Sequence, residues 1–125
     1  NRALKNEPLI INGDGRQTRA WCYIDDVVDA VIKVISNKSA VGQVFNIGNP
    51  QTTMTVRQLA ETIIKLAGSA SKIKFIPLTR AEVYDRSPNI DQARRWLKWT
   101  PRVDLTMGLK KTIDWYRQHR IASQD

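Results

Sequence analysis

The sequence is poor in the residues that most often carry chemistry. Among its 125 residues, Cys22 is the only cysteine and His119 the only histidine. A single cysteine excludes an intrachain disulfide and a cysteine-based metal framework. His119 lies near the end of the predicted last helix, where a capping or solvated role is more common than catalysis. We therefore expect no metal site in this chain.

Long apolar runs are also missing. No apolar stretch approaches the roughly 20 residues that span a membrane, and nothing near Asn1 has the pattern of a signal peptide. The content of 42% apolar and 26% charged residues is ordinary for a globular domain. These features predict a cytoplasmic protein with no membrane partner.

The common nucleotide-binding signatures are incomplete or absent. Gly13-Asp14-Gly15 begins like a dinucleotide fingerprint, but Thr18 stands where the third glycine belongs. There is no phosphate loop of the Gly-x4-Gly-Lys-Ser/Thr kind, and no tyrosine has a lysine four residues further on. No set of residues here can perform nicotinamide chemistry unaided. We therefore expect the chain alone to bind no cofactor and to be inactive.

The positive charge is unevenly distributed. Of a net charge of +8, residues 63–125 carry +7, with thirteen basic and six acidic side chains. Such an excess favours an anionic partner, although much of it falls on helix faces and is expected to be solvated. A small basic nucleic-acid-binding module is thus a remote alternative. It lacks a recognisable helix-turn-helix, zinc finger or aromatic RNA-binding run, and we expect no nucleic-acid partner.

The chain is organised around residues 12–26, where a glycine turn precedes two arginines. Glycine reaches positive φ at little cost, and Asp14 can cap its own turn. Arg16 and Arg19 follow, and a guanidinium at the exit of such a turn suits a phosphate because its planar fork donates two parallel hydrogen bonds. The alternative is a hairpin whose arginines are only solvated.

The remaining pattern predicts alternating strands and helices, and hence an α/β fold. Strands are predicted at Leu9–Ile11, 20–24, 43–47 and 72–76, and helices at 27–35, 56–67, after Asn89 and after Asp104. Thr55 and Gln58 form a capping-box pattern, and Gly68 ends that helix. Asp25 or Asp26 is expected to accept hydrogen bonds from the helix that follows; a pair of catalytic carboxylates is the less favoured interpretation.

Two predicted elements are apolar on more than one side and are therefore expected to be buried on more than one side. The helix at 27–35 has only Asp29 and Lys33 as polar members, so nearly its whole surface is apolar. The strand at 43–47 is continuously apolar, as in buried parallel strands. We therefore expect the chain to be part of a larger protein.

Arg86 is the second candidate binding residue. It lies in the aperiodic segment 78–88, just before a predicted helix. A loop arginine is usually a surface residue, but a proline-stiffened loop that leads into a helix is also a common place for a ligand clamp.

Taken together, these motifs resemble a known family. The motifs that carry the resemblance occur in this order and spacing: 8–9 (Pro-Leu), 12–15 (Asn-Gly-Asp-Gly), 17–19 (Gln-Thr-Arg), 23–26 (Tyr-Ile-Asp-Asp), 45–50 (Phe-Asn-Ile-Gly-Asn-Pro), 86–90 (Arg-Ser-Pro-Asn-Ile) and 97–101 (Leu-Lys-Trp-Thr-Pro). These motifs resemble the C-terminal third of the extended short-chain dehydrogenases, the NAD-dependent nucleotide-sugar epimerases, dehydratases and decarboxylases. The runs at 45–50 and 86–90 look most like UDP-glucuronate decarboxylases.

This resemblance implies a fold and a function. Residues 1–125 would form the C-terminal substrate-binding lobe, with the last helix and strand of the Rossmann sheet, while the Rossmann core itself is absent. The parent enzyme would be a homodimer that uses NAD to oxidise C4 of UDP-glucuronate, lose CO₂ and reduce the product. A nucleotide-sugar 4-epimerase or 4,6-dehydratase is the alternative.

The resemblance also implies the site residues. Arg19, Arg86 and Gln17 would bind the sugar nucleotide, with the two arginines reaching its diphosphate and sugar region. Arg86 would in addition be catalytic, because a cation there can bind the sugar carboxylate and stabilise charge as CO₂ leaves. The partners would be a UDP-sugar and the missing N-terminal Rossmann portion.

Overall fold

The computed structural model describes residues 1–79 and 83–119 and confirms the α/β class. Short 3₁₀ turns cover Arg2–Lys5, Lys38–Ala40 and Pro50–Thr52. The strands and helices are, in chain order, β1 (Leu9–Asn12), β2 (Thr18–Ala20), α1 (Ile24–Ser36), β3 (Thr53–Thr55), α2 (Val56–Ala67), β4 (Ile73–Ile76), β5 (Asp85–Arg86), α3 (Asp91–Leu97) and α4 (Leu105–His119). No helix in these described ranges is long and apolar enough to cross a bilayer.

The strands form two small sheets. In the first, β1 lies parallel to β4, with Leu9 opposite Ile73 and Asn12 opposite Ile76. In the second, β2 is central, antiparallel to β3 and parallel to β5. Since β1 and β2 belong to different sheets, the hairpin that we considered for the first arginines is wrong.

Helix α2 follows the prediction from its local signals. The Thr55 side chain accepts a hydrogen bond from the Gln58 backbone, and the Gln58 side chain accepts one from Thr55 N–H, which completes the capping box. Gly68 ends the helix at φ 63°, in the left-handed region that favours glycine. Helix α4 also begins as predicted, because the Asp104 side chain accepts from Met107 N. Helix α3 begins one residue later than predicted, with Ile90 as its N-cap and no side-chain capping bond, while the Asn89 side chain accepts from Asp91 N.

Helix α1 begins earlier than predicted and is capped differently. The expected strand at 20–24 is wrong, because β2 ends at Ala20 and the helix starts at Ile24. Beyond Ala20 the Trp21 backbone instead bonds the Thr52 hydroxyl, through both its N–H and its C=O. The helix has Tyr23 as its N-cap and no side-chain capping bond, so the capping role predicted for Asp25 or Asp26 is also wrong.

The Asp26 carboxylate instead fixes a distant segment. This side chain is buried, and its two oxygens accept from Arg102 N and Val103 N, both at 3.0 Å. Its backbone carbonyl accepts from the indole of Trp99, also at 3.0 Å. Helix α1 is thereby tied to the turn that leads into α4.

The main core lies beside this junction. Small side chains of α1 and the turn after it pack against α3 and the fully buried Trp99. The members of this core cluster are Ala30, Ala40, Ile90, Ala93, Leu97 and Trp99. Ile90, Ala93 and Leu97 were predicted to be buried, and that prediction is confirmed.

The outer side of α1 is apolar and exposed. Five of its aliphatic side chains are exposed, with Ile35 at 79%; the others are Ile24, Val28, Val31 and Ile32. Within the described residues, helix α1 therefore packs against other elements on one side only, although its sequence predicted that two sides would be buried.

The strand predicted at 43–47 is not formed. Phe45 and Ile47 pack against the core, but Val44 is 81% exposed. A strand requires a ladder partner for its backbone groups, and both sheets of the described residues are built without this segment. The segment 78–88, predicted as a loop, contains the two-residue strand β5, and its residues 80–82 lie outside the described residues.

Replacing Asp26 by alanine is expected to destabilise the chain strongly. The substitution leaves two backbone N–H groups without their charged acceptor, which costs about 2–4 kcal/mol in the free energy of unfolding. Urea unfolding measures this cost as a shift in midpoint at constant slope. The matched control is Asp25→Ala, whose exposed carboxylate lies 3.6 Å from Lys111 Nζ and should contribute less than about 1 kcal/mol. Equal midpoints for the two variants would contradict the role of Asp26.

Candidate functional site

The glycine turn after β1 forms as predicted. Gly13 and Gly15 both have φ 73°, and Asp14 Oδ1 accepts from Arg16 N at 2.9 Å. A Cβ at Gly15 would lie only 3.2 Å from Ile11 Cγ2, so the turn is also held close to β1. The Arg16 side chain is 81% exposed and lies 3.8 Å from the Asp14 carboxylate.

Gln17 is buried directly after this turn. Its side-chain Nε2 donates to Asn12 O at 3.1 Å, and its backbone carbonyl accepts from Val56 N at 3.0 Å. Gln17 thus links the turn, the first strand and helix α2. The substrate-binding role predicted for Gln17 stays a prediction.

Arg19 and Arg86 are neighbours, although they lie far apart in the sequence. Arg19 in β2 is the direct register partner of Arg86 in β5, and of Met54 in β3. Directly paired residues in a ladder project to the same face of a sheet. The two predicted arginines therefore share one face, which we call the arginine face and define by Arg19, Arg86 and Met54. Arg19 is half-buried, and its guanidinium donates to Thr18 O at 2.6 Å.

The opposite face of the same sheet is held together by polar side chains. There the Thr18 hydroxyl donates to the Asp85 carboxylate, and the hydroxyls of Thr53 and Ser87 lie 3.3 Å apart. The bond from Thr18 to Asp85 and the backbone bond from Thr18 N to Tyr84 O at 2.8 Å attach the short strand β5 to β2, and the Thr53–Ser87 contact joins the residue after β5 to β3.

Sequence reasoning missed one side-chain bond near the arginines. The Tyr84 hydroxyl donates to Asp14 Oδ2 at 2.7 Å and joins the glycine turn to the segment that carries Arg86. No local pattern reveals such a contact, because the two residues belong to separate turns. The sequence gives one weak signal for this contact: the aromatic Tyr84 lies in a short polar segment just before the candidate residue Arg86.

The electrostatics of the turn follow from these bonds. The N–H of Arg16, and then the hydroxyl of Tyr84, donate to Asp14 and lower the pKa of its carboxyl. The charged form of Asp14 is therefore favoured by the fold.

Other reactive groups are not arranged for chemistry. Burial, and next the nearby charge of Asp26, raise the pKa of the Cys22 thiol, which disfavours a nucleophilic thiolate. His119 stacks on Trp115, with its Nδ1 3.0 Å from the Trp115 carbonyl. Within the described residues, no group of three His, Cys, Asp or Glu side chains could hold a metal ion.

An apolar cavity lies away from the arginine face. It has a volume of about 260 Å³, and residues 21–23, α2 and α4 line it. Cys22, Tyr23 and Asp104 are the ionisable groups in its lining, and none of them is a cation. Because the cavity lacks cations, the arginine face is the better candidate for an anionic ligand.

Comparison with known proteins identifies the class of this fold. The chain superimposes on UDP-glucose 4-epimerase from Thermotoga maritima, solved with UDP-glucose, with a TM-score of 0.84 and 32% identity over 93% of the chain and 37% of that structure. It also superimposes on UDP-glucuronic acid 4-epimerase from Bacillus cereus, solved with UDP-glucuronic acid and NAD, with a TM-score of 0.85 and 29% identity over 94% of the chain and 37% of that structure. The fold is thus that of a segment of the extended short-chain dehydrogenases.

Sequence relatives point to the same class. Residues 1–48 match the model of the NAD dependent epimerase/dehydratase family. UDP-glucuronic acid decarboxylase 1 of Xenopus tropicalis is 38% identical over 98% of the chain and 29% of that protein. The Arabidopsis thaliana protein of the same name is 32% identical over 99% of the chain and 28% of that protein. As its motifs predicted, the chain resembles a fragment of an extended short-chain dehydrogenase of the NAD-dependent epimerase/dehydratase type, and it spans less than a third of the length of these two relatives.

Replacing Tyr84 by phenylalanine should raise the pKa of Asp14. In the wild type this carboxyl should titrate below its ordinary value of about 3.9, and the stabilisation that it provides should be present above that value and lost as the pH falls through the folded-state pKa. Without the hydroxyl the pKa should rise yet stay below the ordinary value, because the Arg16 N–H remains. NMR titration of the Asp14 carboxyl carbon measures the change, with Tyr116→Phe as the control. An unchanged Asp14 pKa in Tyr84→Phe would show that the bond is not formed in solution.

Proposed function

We propose that the chain is the C-terminal substrate-binding portion of an NAD-dependent nucleotide-sugar enzyme, and that its most favoured activity is UDP-glucuronate decarboxylation. The observation that carries the proposal is the direct pairing of Arg19 with Arg86 on one face of a sheet. The relatives support it, because several are UDP-glucuronic acid decarboxylases.

Two arginines that project from paired positions on one face of a sheet suit a diphosphate. Each can donate two parallel hydrogen bonds to phosphate oxygens, and a dianion between them offsets the repulsion between two cations. We assign Arg19 to the diphosphate and Arg86 to the diphosphate and sugar region. Gln17 would contribute by fixing the turn ahead of Arg19, because its side-chain amide donates to Asn12 O.

Arg86 would also act in the chemical step. When C4 of a glucuronate is oxidised, its C6 carboxylate is attached to C5, next to the C4 ketone, so the sugar is a β-keto acid. The C5–C6 bond can then break with release of CO₂, and its electron pair becomes negative charge on the C4 oxygen. A preorganised cation stabilises this charge more in the transition state than in the ground state. Arg86 is exposed and held on β5, so its guanidinium can reach a substrate in this way.

The described residues do not fit NAD. The glycine turn after β1 leads into strand β2, whereas a dinucleotide fingerprint leads from a strand into a helix. In our proposal NAD is held by an N-terminal Rossmann portion of the longer protein, which would be a cytoplasmic homodimer. The exposed apolar side of α1 would pack against that portion.

A 4-epimerase is the second candidate. UDP-glucuronate 4-epimerase from Thermodesulfobacterium geofontis is 29% identical over 92% of this chain, and such a name implies the same carboxylated sugar.

Incubation of the full-length protein with UDP-glucuronate and NAD, followed by NMR of the product, distinguishes the decarboxylase from the 4-epimerase. Loss of the C6 carboxylate supports decarboxylation, and an inverted C4 with the carboxylate retained supports epimerisation. A 4,6-dehydratase should leave this substrate unchanged.

In the full-length enzyme the two arginines should have different kinetic effects. Arg19→Ala should mainly raise KM, since a phosphate contact persists through ground and transition states. Arg86→Ala should also lower kcat by roughly 10²–10³-fold, the usual cost of losing one preorganised donor. Steady-state kinetics on UDP-glucuronate measures both, with the exposed Arg94 of α3 replaced by alanine as the control. Wild-type kcat in Arg86→Ala would remove Arg86 from the chemical step.

The 125-residue chain alone should show no turnover. It lacks the dinucleotide fingerprint and the Tyr-x3-Lys pair that the reaction requires. An assay for CO₂ release from UDP-glucuronate with added NAD should give the same rate with and without the purified chain. Detectable decarboxylation by this chain would overturn the proposal that it only binds the substrate while an N-terminal Rossmann portion holds NAD.

A further inference from the structure

The strand that carries Arg86 is held against an unfavourable charge contact. Strand β5 has only two residues, Asp85 and Arg86, and both are exposed, so burial contributes little to its position. Its ladder places Arg86 beside Arg19. Like charges directly opposite each other on neighbouring strands destabilise their pairing. Contacts outside the ladder must therefore keep β5 in place when no anion is bound.

Besides the bond from the Thr18 hydroxyl to the Asp85 carboxylate, a second contact suited to this task joins Tyr84 to Asp14. Tyr84 directly precedes β5, and its hydroxyl donates to Asp14 Oδ2 at 2.7 Å. Asp14 is itself fixed, because its other oxygen accepts from Arg16 N at 2.9 Å and glycines at φ 73° stand on either side of it. The acceptor is charged, and hydrogen bonds to charged groups are the stronger ones.

We propose that Tyr84 and Asp14 are positioning residues that hold Arg86 beside Arg19 before the substrate arrives. The inference rests on the proposed function, because it names the residues that preorganise the proposed diphosphate and sugar-carboxylate site. Tyr84 acts through Arg86 and makes no contact with the reacting atoms. Preorganisation of this kind lowers the cost of ordering a binding loop when the ligand binds.

The first test follows β5 in the 125-residue chain. Thr18 N–H donates to Tyr84 O at 2.8 Å, so its hydrogen exchange reports whether the segment is attached. In Tyr84→Phe the Thr18 amide should exchange about fivefold faster, the value expected for the loss of one net hydrogen bond. The Gly13 amide, which donates to Ile76 O in the other sheet, should be unchanged.

The control for this test keeps an aromatic ring and removes a distant hydroxyl. Tyr116→Phe in α4 should leave Thr18 exchange at the wild-type rate. If Tyr84→Phe exchanges at that same rate, β5 is held without the hydroxyl and the inference is wrong. If the Gly13 amide accelerates equally, the bond stabilises the whole region and does not position β5 specifically, which also overturns it.

The second test is a double-mutant cycle in the full-length enzyme. Tyr84→Phe should lower kcat/KM about fivefold in the wild-type background. In the Arg86→Ala background it should have no further effect, because there is then no guanidinium to position. A persistent loss in that background would mean that Tyr84 contacts the substrate directly, and would overturn the inference.

The two proposals fail in different ways. If the full-length protein leaves UDP-glucuronate unchanged, the proposed function fails, while Thr18 exchange still decides whether the Tyr84 hydroxyl attaches β5. If the protein is active and Tyr84→Phe changes neither exchange nor kcat/KM, only the positioning role fails.

Discussion

The rest of the structure depends on the junction that Asp26 forms between α1 and the turn before α4. A buried carboxylate is costly unless hydrogen bonds satisfy its oxygens, and here two consecutive backbone N–H groups do so. The indole of Trp99 donates to the carbonyl of the same residue. Trp99 is also the largest fully buried side chain among the described residues. Asp26 therefore joins three parts of the structure: the core, helix α1 and the start of α4. Strand β2 ends only a few residues before α1 begins, so this junction also fixes one side of the candidate site.

The arginine face is an arrangement that stability alone would not favour. Two cations occupy paired positions in a ladder, and one of the strands has only two residues. Polar bonds on the opposite face and at Tyr84 offset this repulsion. Proteins tend to accept such local costs at functional sites. An anionic ligand between the arginines would turn the unfavourable contact into a favourable one, which is why we locate the proposed function here.

How much could be predicted from the sequence depended on how local the signal was. Helix α2 was predicted to its exact ends, since Thr55, Gln58 and Gly68 all act within one turn of it. The bend at Gly13–Gly15 was equally local. The pairing of Arg19 with Arg86 could not be derived from periodicity, because it depends on two strands of three and two residues. Only the family resemblance placed both arginines in one candidate site.

The wrong predictions have a common physical cause. Apolar runs were assigned to strands at 20–24 and 43–47, but a run becomes a strand only where another strand satisfies its backbone groups. After Ala20 the Thr52 hydroxyl bonds the Trp21 backbone and the ladder stops. Aspartates at 25 and 26 were assigned to the nearest helix, whereas Asp26 bonds N–H groups far along the chain. Capping motifs predict well only when no distant donor competes for the same carboxylate.

The segment 43–47 and the outer side of α1 are best understood together. Both are apolar, and both contain strongly exposed side chains, with Val44 at 81% and Ile35 at 79%. An apolar helix followed by an apolar extended segment is the usual pattern of a helix that crosses over a parallel sheet and the strand that adds to it. A single partner sheet would pair the backbone at 43–47 and bury Ile35 at once. In the proposed larger enzyme, contact with one sheet would thus explain both the unpaired apolar segment 43–47 and the exposed apolar side of α1.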